Sequence, residues 1–333
     1  MAGIPQRKKR EDTLVVILGP TASGKSDLGV RLARAFGGEI ISADSRQVYK
    51  GLDIGTGKIR KQEMRGVPHH LLDVSSPKKS YTVSAWRRAA LKAIDLVRKK
   101  GKVPFLVGGS PLYIYALVDQ WSIPEVKPDI KLRKRLERLS LPALLIKLAK
   151  LDPARARSIE PQNKRRIVRA IEIVLKTKRP IPSLQKHQLP YPILLLGIAQ
   201  SKENLRRRIA KRLDAMVKQG LLGEVKKLRN QGVSWRRINE LGFEYRYAAA
   251  YLRRKKRPTR AKFGQAVVRQ LAEADGAKAG ASSKDEMRQK IQKATEDFVR
   301  RQMSWFKKDQ RIRWVKNYKQ ATFLTKNFLA LKN

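Results

Sequence analysis

The sequence predicts an α/β fold in which a parallel sheet carries helices on both faces and mainly helical insertions. Three observations support this prediction. Short apolar runs alternate with helical patterns through the first third of the chain, as they do in βαβ units. A glycine-rich turn joins the first apolar run to the first helical pattern. With 333 residues, of which 41% are hydrophobic, the chain is also long enough to bury a core and to carry insertions.

The individual strands and helices follow from hydrophobic periodicity. The predicted strands are Leu14–Leu18, 39–42, 105–107, Ile193–Ile198 and a last edge strand at Ile312–Val315. The predicted helices between them are 27–36, 84–99 and 203–219. In the last of these, the apolar residues fall on one face, which is typical of an amphipathic helix. Residues 129–180 and 221–305 show few strand signals and are predicted to be rich in helix.

These elements divide the chain into five stretches. We expect a first part of the core at 1–128, followed by a basic helical insertion at 129–190. A core strand with an arginine-bearing helix follows at 191–220, and a second helical region at 221–290. The last stretch, 291–333, is expected to form a C-terminal helix and the edge strand. Within the fourth stretch, residues 272–284 are rich in Ala, Gly, Ser and Lys and are predicted to form a mobile loop.

The balance of charge and the absence of cysteine limit the chemistry of the chain. Lys and Arg number 76 against 28 Asp and Glu, a formal net charge of +48, which favours a polyanionic partner over a mere solubility or compositional bias. Without cysteine, the chain has no disulfide, thiolate nucleophile, Cys-ligated zinc or iron–sulfur cluster. A metal would be a hard ion on oxygen ligands, and carboxylates would transfer protons. No stretch resembles a signal peptide or a membrane span, so we expect a cytoplasmic protein.

One stretch has the pattern of a phosphate-binding loop, G-x-x-x-x-G-K-[ST], between a predicted strand and a predicted helix. Its residues are Gly19, Pro20, Thr21, Ala22, Ser23, Gly24, Lys25 and Ser26. Glycines let the backbone turn its N–H groups into one cavity at the positive end of a helix dipole. Lys25 adds a positive charge, and the Ser26 hydroxyl is placed to hold Mg²⁺. The pattern predicts binding of a nucleoside triphosphate or of another diphosphate ester.

Two further candidate residues follow neighbouring strands of the predicted sheet. Asp44 comes after the second predicted strand, and Ser110 lies in the small-residue turn after the third. Because the carboxyl ends of parallel strands face one crevice, Asp44 should lie opposite the phosphate loop. There it can ligate magnesium or accept a proton from a nucleophile, or it can simply cap a turn. The turn at Ser110 lets a ligand approach the backbone.

Several motifs occur together in the order of one known family. They are GPTASGKS, ISADSRQVYKGLDIGTGK, HHLLD, LVGGSPLY, RIVRAIE, MVKQGLL and RRQMSWF, spread over residues 13–315. In these motifs the chain resembles the tRNA dimethylallyltransferases, also called tRNA isopentenyltransferases. The lack of cysteine argues against the zinc-finger extension of the eukaryotic form and so favours the bacterial type. The resemblance implies a P-loop kinase-like fold that does not phosphorylate.

The function that the resemblance implies is dimethylallyl transfer. The donor is dimethylallyl diphosphate, and diphosphate is released. The acceptor is the exocyclic 6-amino group of the adenosine 3′-adjacent to the anticodon, in tRNAs that read codons beginning with U. Mg²⁺ is the implied cofactor and tRNA the implied macromolecular partner. No membrane is involved, and the chain is expected to act as a monomer.

The resemblance also assigns residues by position. Asp44 matches the general base, and Arg212 matches the arginine that clasps the leaving diphosphate. Ser110 stands where the family usually has threonine, beside the bridging oxygen of the diphosphate. Lys25 and Ser26 match the diphosphate and magnesium positions. The positions that match tRNA contacts are Asp44, Ser45, Arg46, Gln47, Ser110, Arg133, Arg165, Arg166, Ile167, Val168 and Arg169.

Some of these features have other interpretations that the sequence leaves open. The arginines of 165–169 share a helix with an apolar side, so a solvated cationic face is an alternative to RNA contact. His69 and His70 precede a strand-like LLDV, and packing or hydrogen bonding is a better interpretation than metal binding. Glu296 and Asp297 stand where the family has a basic Arg-Gln pair. For the whole chain, the alternatives are a P-loop nucleotide or small-molecule kinase, or a P-loop RNA-binding module.

Overall fold

The computed structural model describes residues 12–182, 187–255 and 283–330. The chain forms two compact units. The larger one combines Met1–Val118 with Pro190–Asn333, and the second is Asp119–Leu189. Most of the stretch 129–190, predicted as a helical insertion, lies in the second unit. Among the described residues, no helix is both long and apolar enough to cross a membrane.

A six-stranded parallel sheet is the centre of the larger unit, which confirms the predicted α/β class. The strands are β1 Leu14–Leu18, β2 Gly38–Ala43, β3 His69–His70, β4 Val103–Gly108, β5 Ile193–Ile198 and β6 Ile312–Val315. Their order is β3-β2-β4-β1-β5-β6, and every neighbouring pair is parallel. β1, β2 and β4 are buried along their whole length, as apolar strands covered on both faces are. The five predicted strands are confirmed, including the edge position of β6.

The strand that the sequence did not predict is β3. Its two residues, His69 and His70, pair with Ile40 and Ile41 of β2. The apolar stretch that follows was predicted to be strand-like, and this prediction is wrong. Leu71 and Asp73 have φ angles of 65° and 56°, so the backbone turns through the left-handed region there.

The described helices are α1 Lys25–Ala35, α2 Lys61–Met64, α3 Val83–Lys99, α4 Pro111–Val118, α5 Ile130–Glu137, α6 Leu141–Leu151, α7 Pro153–Ser158, α8 Lys164–Thr177, α9 Lys202–Lys218, α10 Leu221–Asn230, α11 Trp235–Leu241, α12 Phe243–Lys255, α13 Lys284–Phe306 and α14 Tyr318–Ala330. The three predicted helices are confirmed as α1, α3 and α9, with ends that differ by at most two residues. Capping side chains explain two starts: Thr82 accepts the N–H of Ala85 before α3, and Ser201 accepts that of Asn204 before α9.

The main core of the larger unit lies between the sheet and two helices. Sheet residues such as Ile17 and Phe105 pack there with Leu32 of α1 and Leu329 of α14, all nearly or fully buried. α3 packs against β2 and β4 without joining this cluster, and so covers the other face. Because Phe105 is fully buried, truncating it to alanine would cost about 3–5 kcal/mol of unfolding free energy.

Of the two C-terminal helices, α13 returns the chain to the carboxyl edge of the sheet. α13 packs along α9, where Val299 meets Leu205 and Ile209. Of the predicted mobile loop 272–284, residues 272–282 lie outside the described residues. Its last two residues belong to α13 instead, because Ser283 caps that helix and Lys284 begins it.

The second unit is helical, as predicted for its stretch of sequence. α6 and α5 pack on α8, and residues such as Leu136, Leu144, Ile167 and Ile171 form its core. The side chains of Asp129, Ser140, Asp152 and Asn163 each accept the N–H three residues on and so start the four helices.

Candidate active site

The eight predicted residues of the phosphate loop, 19–26, form the connection from β1 to α1 and the first two residues of that helix. Ala22 and Gly24 have φ angles of 64° and 96°, both in the left-handed region, and α1 begins directly after Gly24. Gly24 gives the helix no side-chain cap. The first N–H groups of α1 therefore lack helical partners at the positive end of the helix, which suits an anion. Ser23 is buried, whereas Ser26 is exposed at the start of the helix.

Lys25 connects this loop electrostatically to two other predicted residues. Its Nζ donates to the carbonyl oxygen of Pro20 at 3.2 Å. Burial lowers the pKa of Lys25 to about 8, an effect that Asp44 opposes and Arg212 reinforces. Lys25 is therefore within electrostatic reach of both Asp44 and Arg212. It also lies against the turn after β4, because a Cβ on Gly109 would be 3.2 Å from its Cε.

Asp44 follows β2 directly and caps the turn after it. Its Oδ1 accepts the N–H of Arg46 at 2.8 Å and, more weakly, that of Gln47 at 3.4 Å. The turn-capping interpretation is therefore confirmed for this oxygen. For Oδ2, the described parts of the chain supply no hydrogen-bond donor. One carboxylate oxygen can thus hold the turn while the other accepts a proton.

Ser110 follows β4 and lies beside the Asp44 turn. Its Oγ accepts the backbone N–H of Ser45 at 3.1 Å and lies 3.4 Å from the Ser45 hydroxyl. The approach of the two strand ends needs Gly108, since a Cβ there would lie 2.2 Å from the carbonyl oxygen of Ala43. The parallel sheet thus brings the phosphate loop, Asp44, Ser45 and Ser110 to one edge.

Arg46 and Gln47 reach away from this edge to other parts of the larger unit. The Arg46 guanidinium donates to the carbonyl oxygen of Glu240 at 2.7 Å, and the Gln47 amide donates to that of Gly57 at 3.4 Å. Both side chains are bonded to protein here, and Arg46 is exposed. Their predicted contact with tRNA stays a prediction.

Two arginines one turn apart on α9 face the site. Arg212 donates to the carbonyl oxygen of Thr56 at 2.6 Å. Arg208, which the sequence did not assign, donates to the carbonyl oxygen of Ala22 at 2.7 Å and lies against Gly24. Its i, i+4 spacing from Arg212 is the signal that points to it. The site therefore offers an anion two guanidinium groups in addition to Lys25.

A family assignment follows from comparison with known proteins. The sequence profile of the IPP transferase family matches residues 47–309. A protein of Pelotomaculum thermopropionicum named tRNA dimethylallyltransferase is 37% identical over 315 residues, which cover 93% of this chain and 92% of that protein. The chain belongs to the IPP transferase family. A Streptomyces coelicolor protein of the same name is 40% identical over 305 residues, covering 91% of this IPP transferase and 89% of that protein.

Solved structures agree with this membership. The full-length tRNA isopentenylpyrophosphate transferase of Bacillus halodurans superposes with a TM-score of 0.64 and 32% identity, over 96% of each chain. A eukaryotic dimethylallyltransferase acting on tRNA has a TM-score of 0.70 with 22% identity, over 96% of this chain and 80% of that one, and shows the shared fold. The predicted resemblance and the P-loop kinase-like fold of this IPP transferase are confirmed.

Two polar groups of this IPP transferase, one buried and one half-buried, were not found by sequence reasoning. Gln302, 2% exposed, accepts the N–H of Thr21 at 2.9 Å and donates to the carbonyl oxygen of Gly109. It therefore ties α13 to the phosphate loop and to the turn at Ser110. Glu244, in the first turn of α12, lies within the electrostatic reach of Asp44. Partial burial raises the pKa of Glu244 to about 7, although a hydrogen bond from its own backbone N–H and the charges of Arg212 and Arg46 lower it.

In the second unit, two predicted arginines of the IPP transferase neutralise a buried carboxylate. Arg133 binds Glu172 through two nitrogens at 2.8 and 2.6 Å, and Arg169 binds it at 2.5 Å. Glu172 is fully buried, and although burial opposes ionisation, these bonds lower its pKa. Both arginines keep about a third of their side chains exposed. The bonds to Glu172 explain why arginines stand at these two positions without requiring an RNA contact.

The run 165–169 divides into exposed and buried residues. Arg165 and Arg166 are exposed, and Arg166 pairs with Glu160 at 3.1 Å. Ile167 and Val168 are 0% and 4% exposed and pack in the core of the second unit. The burial of these two side chains rules out a tRNA contact through them. The predicted tRNA contact of the arginines in this run stays a prediction.

The two histidines and the acidic pair on α13 have structural partners. His70 shares the buried Glu39 with Lys100 and Lys102, at 2.7, 3.1 and 2.8 Å. His69 bonds the Val67 carbonyl oxygen. The hydrogen-bonding interpretation of both histidines is therefore confirmed.

The acidic pair on α13 also has basic partners: Glu296 pairs with Arg206 and Asp297 with Arg300. The described residues contain no group of three or more His, Cys, Asp or Glu side chains that could hold a metal ion.

Proposed function

We propose that this IPP transferase moves a dimethylallyl group from dimethylallyl diphosphate to adenosine in tRNA. The acceptor is the exocyclic 6-amino group of the adenosine 3′-adjacent to the anticodon, in tRNAs that read codons beginning with U. The observation that carries the proposal is the edge of the sheet that the anion-binding loop shares with the Asp44 carboxylate, together with the Arg212 guanidinium, which the carbonyl oxygen of Thr56 holds within electrostatic reach of Lys25. Relatives that cover most of the chain bear the name of this activity.

The reaction needs both the Asp44 carboxylate and the positively charged groups of this site. The adenine amine is a weak nucleophile because its lone pair is delocalised into the ring. As its nitrogen bonds to the first carbon of the dimethylallyl group, the bond from that carbon to the diphosphate oxygen breaks, and the electron pair leaves with diphosphate. The amine proton passes to the Asp44 carboxylate, through the oxygen that does not hold the turn.

The positive groups of the site act on the leaving group. Charge develops on the diphosphate as the allylic bond breaks, so fixed donors around it lower the barrier. The loop N–H groups, Lys25, Arg208 and Arg212 are the donors in position. Lys25 has to be protonated for this, and the negative charge of a bound diphosphate raises its pKa from about 8.

Mg²⁺ fits the donor set at the start of α1. This ion usually keeps several waters and binds proteins through one or two oxygen ligands together with substrate phosphates. The Ser26 hydroxyl is an exposed oxygen at that position, so it would be the ligand from this chain. Mg²⁺ would supply further positive charge to the diphosphate.

The net charge of +48 supports a nucleic-acid substrate. The target base is stacked in an RNA loop, and extruding it costs a few kcal/mol, which contacts between Lys or Arg and phosphates offset. We expect tRNA affinity to fall steeply with salt, as counterion release requires. We further propose that the protein acts in the cytoplasm as a monomer.

The test is a paired incubation with unmodified tRNA. One reaction receives labelled dimethylallyl diphosphate and the other ATP labelled at its terminal phosphate. We expect label in the tRNA from the first reaction only. Transfer of phosphate without prenyl transfer would support the kinase alternative, and tRNA binding without any product would support the RNA-binding module.

A further inference from the structure

A loop beside the candidate active site is bound by a single carboxylate. The loop is residues 53–57, here called the bridging loop. Glu224 of α10 accepts three of its N–H groups: Asp53 at 2.8 Å and Ile54 at 2.7 Å through Oε2, and Gly55 at 3.0 Å through Oε1. Successive N–H groups that converge on one anion form a nest, and its charge makes these bonds stronger than neutral ones.

Tyr245 of α12 holds the same carboxylate. Its hydroxyl donates to Oε1 of Glu224 at 2.7 Å. Its ring lies against the bridging loop, where a Cβ on Gly55 would be 2.6 Å from the ring. Burial and the charge of Glu224 raise the pKa of Tyr245, so the hydroxyl keeps its proton and remains a donor. The three N–H groups and this hydroxyl together fix the carboxylate and, with it, the loop.

The carbonyl groups of the bridging loop hold two predicted site residues. The oxygen of Thr56 accepts Arg212 at 2.6 Å, and that of Gly57 accepts Gln47 at 3.4 Å. Gly57 has a φ of 55°, and a Cβ there would lie 2.5 Å from the Arg212 guanidinium. Arg212 thus lies directly on the loop backbone, and the position of the loop decides where its guanidinium points.

We propose that Glu224 is a positioning residue, which orients the Arg212 guanidinium toward the diphosphate through the bridging loop. This inference rests on the proposed function, since it needs Arg212 to act on diphosphate. Glu224 lies on a different helix from Arg212, and its carboxylate is bonded by the bridging loop and by Tyr245. Its effect on the reaction is therefore transmitted by the loop.

Glu224→Gln is the variant that disturbs the nest with least change of shape. The amide keeps one acceptor oxygen but puts an NH₂ group against N–H donors. We expect kcat for prenyl transfer to fall by about tenfold or more, because small displacements of positioned groups are costly, while KM for tRNA stays near wild type. Glu203→Gln, which removes an exposed glutamate on the first turn of α9, is the matched control and should change neither.

A double-mutant cycle separates positioning from a general loss of structure. In an Arg212→Ala background, Glu224→Gln should lower kcat by no more than about twofold further, because the group it positions is gone. The binding of inorganic diphosphate, followed by calorimetry, should show the same non-additive pattern. A merely structural role would multiply the two losses, and that result, or wild-type kcat in Glu224→Gln, would overturn the inference.

Tyr245→Phe disturbs the same carboxylate from the other side and serves if Glu224→Gln does not fold. It removes the hydroxyl that donates to Glu224 and keeps the ring against the bridging loop, so we expect a smaller loss of kcat that disappears in the Arg212→Ala background. A loss that persists there would overturn the inference. Wild-type activity in Arg212→Ala alone, or no prenyl transfer by the wild-type chain, would instead count against the proposed function.

Discussion

We expect Lys25 to destabilise the fold of the protein when no diphosphate is bound, although the same residue binds diphosphate. Burial holds its pKa at about 8 instead of 10.5, so that keeping it protonated at pH 7 costs roughly 3 kcal/mol of unfolding free energy. Lys25→Met removes this cost and loses only one hydrogen bond to Pro20, worth about 1 kcal/mol. We expect the variant to be more stable by about 2 kcal/mol, and to bind inorganic diphosphate much more weakly.

The pH dependence gives the sign of this effect. The folded state releases the Lys25 proton at about pH 8 and the unfolded state at about 10.5, so the unfolded state binds more protons between these values. The free energy of unfolding of the wild type should therefore rise over this interval relative to that of Lys25→Met. Urea unfolding of both proteins from pH 7 to 10.5 measures the difference, with Lys202→Met, at an exposed lysine, as the control. A variant that is less stable than wild type at pH 7, or a constant difference across the interval, would refute the reasoning.

Two further predictions concern buried polar groups. Hydrogen bonds from Lys102, His70 and Lys100 outweigh burial and lower the pKa of Glu39 to about 2. The lowered pKa contributes about 3 kcal/mol to the free energy of unfolding, which is complete above about pH 4.5 and is lost as the pH falls toward 2. Urea unfolding of Glu39→Gln should therefore show no such loss of stability at low pH. An equal loss in the variant and the wild type would contradict this prediction. Gln302→Ala leaves the Thr21 N–H without its bond and should cost about 1–3 kcal/mol and weaken diphosphate binding in calorimetry, and an unchanged affinity would show that Gln302 does not shape the loop.

The parts of the fold that have local patterns could be predicted from the sequence. Runs such as Leu14–Leu18 are buried on both faces and therefore apolar throughout, and α9 shows its buried face at helical spacing. The two-residue strand β3 leaves no such pattern. The stretch after it is apolar enough to suggest a strand, but only the backbone angles at Leu71 and Asp73 show that the chain turns there.

The candidate site could be predicted where it depends on motifs and strand ends, and not where it depends on contacts between distant residues. Asp44 and the phosphate loop follow strands whose ends must meet in a parallel sheet. Gln302, in contrast, reaches Thr21 across 281 positions, and no local pattern encodes that contact. Arg133 shows how a local pattern can mislead. Its basic surroundings in the sequence suggest an RNA contact, but its partner in the structure is the buried carboxylate of Glu172, 39 positions further along the chain.

Mass spectrometry of nucleosides from an unmodified tRNA tests the central claim most directly. The tRNA is incubated with dimethylallyl diphosphate and either the wild-type chain or Asp44→Asn, which keeps an oxygen for the turn and removes the proton-accepting charge. We expect the wild type to prenylate the adenosine next to the anticodon, and Asp44→Asn to do so about a hundredfold more slowly or worse, with tRNA binding unchanged. Prenylation by Asp44→Asn at the wild-type rate, or no prenylated adenosine with the wild type, would contradict the claim.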